Sequence, residues 1–209
     1  MSTDKDIFRT VARDSEAQIE EKRSVFISAV KRVATEEEAL AFVKERKKLH
    51  PDARHTVFAY VLRKGSARYS DDSEPTGTAG MPTLEAIRRT GLEDMVVATT
   101  RYFGGILLGA GGLTRTYGAA AHAALNAAGV AEYVPFTYFL LDCTYTDYQK
   151  IQPELARLGV REMGTDFTDR VTVRVGLPSE QCEELILRIV ELTAGRCRPF
   201  EDGVGMDLK

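Results

Sequence analysis

The sequence predicts a two-domain protein of the α/β (α+β) class. Three observations carry this. Strand-like and helix-like segments alternate along the 209 residues, the pattern resets near Pro135, and the segments after it fall in β-α-β-β-α-β order. That last order is the ferredoxin-like split βαβ arrangement. The domains are placed at 1–135 and 136–209, which suits a chain of this length.

Residues 17–34 read as a strand. Val25, Ile27, Ala29 and Val33 lie on one face and Phe26 and Val30 on the other, so both faces are expected to be covered within a sheet. Thr35 is a helix N-cap, with Glu38 three residues on completing a capping box. Glu36 and Glu37 suit the positive end of that helix. Ala39, Leu40, Phe42 and Val43 supply its buried side, and it stops before Pro51. A second strand is expected over 55–62, then a mobile polar loop over 63–74 containing Gly65. Pro82 fits the first turn of a helix that runs to Thr90 and closes at Gly91. Residues 95–103 form a β-branched strand. A glycine-rich stretch over 104–112 leads into an alanine-rich helix over 113–128, closed by Gly129. In the second domain, strands are expected at 136–145, 160–167, 171–177 and 196–202. Its helices are expected at 147–158 and 179–193, stopped by Gly159 and Gly195. No internal repeat or low-complexity tract interrupts this order.

Composition narrows the function. The formal charge is -3 and hydrophobic residues make up 44% of the chain, ordinary for a globular protein with a real core. Residues 1–135 carry 19 Lys and Arg against 18 Asp and Glu, and 136–209 carry 9 against 13. Wrapping of nucleic acid by bulk charge is not implied, and the first domain is the better candidate to meet a polyanion. No segment is long and apolar enough to span a bilayer, and the start of the chain has no apolar signal-peptide core. Cys143, Cys182 and Cys197 make neither a disulfide framework nor a zinc cluster. The cytoplasm is the expected location.

Two stretches can carry binding chemistry. The first, Asp71-Asp72-Ser73-Glu74-Pro75-Thr76-Gly77-Thr78-Ala79-Gly80-Met81-Pro82, packs acids, hydroxyls and glycines between a strand and a helix. Its glycines allow a ligand close to backbone amides, and Asp71, Asp72 and Glu74 suit a cation or a basic partner. The bland reading is a solvated turn that caps the next helix. The second, Arg101-Tyr102-Phe103-Gly104-Gly105 through Gly109, Gly111, Gly112 and Arg115, places a glycine loop at a helix start, where free amides attract anions. Arg101 and Arg115 can grip a phosphate there, and Tyr102 and Phe103 can stack a base. The spacing is neither the phosphate-loop nor the dinucleotide pattern, and the glycines equally suit close helix–sheet packing. His50, His55 and His122 lack metal-ligand spacing. No serine or cysteine has the surroundings of an activated nucleophile. Neither a cofactor nor a metal is called for.

The run from Asp71 to Pro82 is similar to the IMPACT-family signature Asp-Asp-Gly-Glu-Pro-Ser-Gly-Thr-Ala-Gly-x-Pro. Thr100-Arg101-Tyr102-Phe103-Gly104-Gly105-x-x-Leu108-Gly109-x-Gly111-Gly112-Leu113-x-Arg115-x-Tyr117 resembles the second signature. Glu21-Lys22-Arg23-Ser24-Val25-Phe26-Ile27 and His50-Pro51-Asp52-Ala53-Arg54-His55 resemble weaker blocks. Ser73 departs from the usual glycine, and Thr76 replaces serine. The chain is thus identified with the IMPACT family in its bacterial two-domain, YigZ-type form. The resemblance implies a first domain like the second domain of ribosomal protein S5. It implies a second domain like the C-terminal ferredoxin-like domain of elongation factor G. It further implies a non-enzymatic regulator associated with translation, with RNA, the ribosome or a translation factor as partner. The alternative is an enzyme or sensor of a small phosphorylated ligand, with Gly109–Gly112 holding phosphate and Asp72 or Glu74 holding Mg²⁺ or serving as base. The two signatures are expected on one face of the first domain, with His55 joining them.

Overall fold

A computed structural model of the chain describes residues 7–209. It divides into two compact units, Phe8–Glu132, and Tyr133–Lys209 with Ile7. The first unit opens with β1 (Phe8–Val11), then β2 (Ser15–Glu21), β3 (Ser24–Arg32), α1 (Glu36–Leu49), β4 (His55–Val61), β5 (Ala67–Ser70), α2 (Gly80–Thr90), β6 (Met95–Tyr102) and α3 (Gly109–Ala128). Its sheet runs β2-β3-β6-β4-β5, with neighbouring strands antiparallel.

Period-two alternation decides what each face of this sheet meets. Val30, Ala59 and Val97 pack beneath Leu84 and Ile87 of α2 and Ala121, Ala124 and Ala128 of α3. The small alanines let α3 approach closely. Tyr60, Val96 and Ala98 turn to the other face and meet Ala39 and Val43 of α1. The helix start follows the sequence: Thr35 accepts from the Glu38 amide at 3.2 Å, and the Glu38 carboxylate accepts from the Ala34 amide at 2.6 Å.

Three expectations change here. The strand expected over 17–34 is the hairpin of β2 and β3, turning at Lys22 and Arg23 with φ of 47° and 65°. Such turns ordinarily use Asn and Gly, so this one carried no turn signal. The loop expected over 63–74 contains the edge strand β5. The helix expected to start at residue 113 begins at Gly109, so Gly109, Gly111 and Gly112 form its first turn.

The second unit holds most of β7 (Val130–Cys143), followed by α4 (Tyr145–Arg157), β8 (Arg161–Phe167), β9 (Val171–Pro178), α5 (Cys182–Thr193) and β10 (Phe200–Leu208). The strand order β10-β7-β9-β8, antiparallel at each step, is that of a split βαβ sheet. Phe139, Leu141, Val173 and Val175 face Ile151, Leu155, Leu185 and Ile189 across the core. The last strand lies at 200–208 rather than 196–202, and residues 179–181 form a 3-10 turn before α5. Pro135 does not end the strand pattern. It sits inside β7, opposite Met206. β1 was also unforeseen. Among the described residues no helix is long and apolar enough to cross a membrane.

Asp147 anchors the start of α4. It is buried and accepts from Arg196 at 2.6 and 3.0 Å and from the Thr144 hydroxyl at 3.0 Å. The Arg196 hydrogen bond, with Thr144 assisting, holds its carboxyl at about 2 against an ordinary 3.8. A depressed folded-state value stabilises the fold above the unfolded-state value, and the gain is lost as pH falls through the folded one. Unfolding followed by circular dichroism should therefore show a stability contribution that is full above about pH 5 and fades toward pH 2. Asp147→Asn should remove that part of the acid sensitivity.

Candidate binding site at the end of the first sheet

The register of three strands builds the site. His55 lies opposite Arg101, and Arg101 lies opposite Phe26, so all three side chains leave one face of the sheet in a single row. Arg101 is buried, and its Nη1 donates to Glu74 Oε1 at 2.7 Å. Tyr117, from α3, donates to the same oxygen at 2.8 Å. The two charged side chains are 8% and 4% exposed. Burial, with the Glu74 carboxylate beside it, pushes the Tyr117 phenol far above its ordinary value, so it stays protonated and donates. Phe26 packs edge-on against Tyr117, ring centres 5.0 Å apart, and lies under the Arg101 guanidinium.

The 71–80 loop is braced from within. Asp71 accepts three amides: Gly77 at 2.9 Å, Ala79 at 3.0 Å and Gly80 at 2.7 Å. Asp72 pairs with Lys47 at 2.8 Å and accepts the Thr56 amide at 2.7 Å, while its carbonyl accepts from His55 Nδ1 at 2.8 Å. Thr78 donates to the Pro75 carbonyl at 2.6 Å, and Thr76 and Gly77 are exposed on the loop. A side chain at Gly80 would meet the Ser70 carbonyl at 2.7 Å. One at Gly104 would collide with the Arg23 backbone, and the Gly104 amide donates to Ser24 at 3.1 Å. Both glycines are required by close approach rather than by a ligand. Ser73 has φ of 71°, so the position that carries glycine in the family signature is left-handed in this chain.

Glu74 thus joins the first signature to the second, through Arg101 and Tyr117. The carboxylates read from sequence as possible cation ligands are engaged in holding the loop. Arg115 does not join Arg101. It lines a separate hollow with Glu20, Glu21 and Gly112, whose acids oppose an anion. Gly105, Gly109 and Gly111 are exposed beyond the strand end. Tyr102 leaves the opposite sheet face, where its hydroxyl meets His50 Nδ1 at 2.9 Å. His50 Nε2 meets Arg46 Nη2 at 2.9 Å, and Arg46 pairs with Glu16 at 2.6 Å. Arginine only donates, so Nε2 accepts and Nδ1 donates to Tyr102. Burial, then the Arg46 charge, lowers the His50 pKa.

Beside the Arg101 row is a depression of about 200 Å³ lined by Arg54, His55, Arg101, Phe103 and Leu107. Phe103 is half exposed and Leu107 is 81% exposed. Arg54, Leu107 and Tyr117 were not among the candidate residues. Arg54 and Tyr117 do stand inside the sequence blocks that resemble the family, which is the signal that could have found them. Leu107 occupies an unspecified position of the second signature.

The first unit is therefore an α/β domain with a signature-built, arginine-floored surface. The Impact N-terminal domain model matches residues 22–125, and a domain of unknown function (DUF1949) matches 141–196. The chain is 35% identical to the IMPACT family member YvyE of Bacillus subtilis, covering 90% of this chain and 87% of that one. It is 33% identical to YigZ of Escherichia coli, covering 83% and 87%. A crystal structure of a hypothetical protein superposes with a TM-score of 0.61 at 30% identity, covering 94% of this chain and 98% of that one. This chain belongs to the IMPACT family.

Removing Glu74 strands the Arg101 charge in a buried setting. Glu74→Ala is expected to cost about 3–5 kcal/mol in urea unfolding. Glu74→Gln, which keeps the acceptor but not the charge, should lose less. Ser73→Gly should stabilise by roughly 0.5–1 kcal/mol, because it relieves a left-handed serine. An unchanged urea midpoint in Glu74→Ala would show that the buried pair contributes nothing to holding the loop.

Proposed function

We propose that this protein is a non-enzymatic participant in translation that binds RNA, free or in the ribosome, through the face carrying Arg54, His55, Arg101 and Phe103. One observation carries the reading: the depression gathers cationic side chains with no acid in its lining, and its rim is apolar. Phosphate contacts with an adjoining aromatic form the combination that binds single-stranded nucleic acid. Attraction is then local, in keeping with a first domain close to neutral overall. The resemblance to the S5 and elongation-factor G folds supports the ribosomal setting by analogy.

A small phosphorylated ligand is the second reading, favoured by the concavity of the same depression. Its kinase form fits less well. Arg115 lies beside two glutamates, and Asp72 and Glu74 are already engaged.

The reading is tested by titrating a single-stranded oligoribonucleotide at several salt concentrations, and by cosedimentation with ribosomes. Arg54→Ala should weaken binding and reduce the salt slope by about 0.7. Phe103→Ala should weaken it by roughly 1–3 kcal/mol with little change in slope. Absence of RNA and ribosome association at low salt would overturn the proposal.

A further inference from the structure

We infer that the depression receives the terminal phosphate of an RNA chain, an inference that rests on the RNA reading above. The argument begins with which donors are uncommitted. The Arg101 guanidinium makes one hydrogen bond among the described residues, from Nη1 to Glu74. Its Nε is enclosed and unpaired, which leaves Nη2 for a ligand. Arg54 is exposed and has no acidic partner within reach among the described residues. His55 Nδ1 meets a carbonyl, which can only accept, so Nδ1 carries the proton and Nε2 is left over. Consecutive residues of one strand end and the register partner on the next strand thus bring two guanidinium groups and one imidazole to a single hollow.

The number of acceptor oxygens selects among phosphates. A phosphodiester within a chain has two free oxygens, and a phosphate monoester has three. Arg101 is already paired with Glu74, so the match is one of donors rather than of net charge: Arg101 Nη2 and the Arg54 fork meet two oxygens, and His55 Nε2 is left for the third. His55 adds a second discrimination. A neutral Nε2 accepts from a protonated phosphate oxygen, and a protonated ring donates to an ionised one. An internal diester, with no ionisable hydroxyl, offers only the second contact. The hollow, about 200 Å³ and open to solvent, admits a phosphate group with the rest of the chain continuing outward. Half-exposed Phe103 and exposed Leu107 at its rim then offer an apolar surface to the terminal nucleoside.

The test uses the full chain and one oligoribonucleotide prepared in three forms: 5′-phosphorylated, 3′-phosphorylated, and with hydroxyls at both ends. Affinities are read by titration calorimetry at fixed salt. One phosphorylated form should bind about tenfold or more tighter than the hydroxyl form, and the form that does identifies the end. Arg54→Ala should abolish that difference while leaving the melting temperature unchanged, because Arg54 is exposed and unpaired. Equal affinity of all three forms would overturn the terminal-phosphate inference and leave the RNA reading standing. Binding of none would overturn both. A nucleoside monophosphate that binds as tightly as the phosphorylated oligoribonucleotide would also overturn it, in favour of a small ligand.

Discussion

The first domain depends on a buried carboxylate shared by two donors. Glu74 sits on a loop, Arg101 at the end of β6 and Tyr117 on α3, and one oxygen atom of Glu74 accepts from both partners. Burying two charges costs solvation, which is recovered only when geometry and further hydrogen bonds are good. Here the compensation comes from the Tyr117 hydroxyl and from Phe26 packed against both. A loop of small and polar residues has little apolar surface with which to dock, Ala79 apart. The ion pair supplies that docking, and Asp71 completes it by accepting the amides at the start of α2.

The same arginine connects stability to binding. One of its nitrogens holds Glu74, and the residue floors the depression beside Arg54 and His55. Arg101 therefore cannot swing to follow a ligand; it is fixed by its structural partner. His55 is fixed likewise, through the Asp72 carbonyl, while Asp72 is held by Lys47 and the Thr56 amide. With Arg101 and His55 ordered before binding, the hollow loses less side-chain entropy on capture than one built of free lysines. The glycines serve this rigidity too: Gly80 and Gly104 let backbones approach where any side chain would collide.

Much of the fold was legible because period and caps are local signals. The capping box at Thr35 and Glu38, the stop at Gly91 and the alternating apolar strands of the second unit all act within a few residues. The misses share a cause. Lys22 and Arg23 make a tight hairpin without turn residues, because strand pairing on both sides imposes the left-handed conformation. β5 is polar and exposed, and it is a strand only because β4 offers it an edge. Tyr102 and Arg101 are neighbours in sequence and were read together. A pleated strand sends them to opposite faces, one to His50 and the other to Glu74.

By itself the sequence determined the three helices of the first part, the β-α-β-β-α-β pattern of the second part, and the two signatures that mark the family. Each of these is written in residue types at short spacing, where propensity, capping and side-chain period operate. Which signature residues touch was decided only by tertiary structure. Arg101 and Arg115 are fourteen positions apart and look like one clamp, yet the strand end and the helix carry them to different hollows. Arg54 and Arg101 are far apart in sequence and share one, because β4 and β6 pair in a register that sets His55 against Arg101. Register is fixed by the burial of whole sheet faces, an interaction among distant segments that no local window of sequence contains.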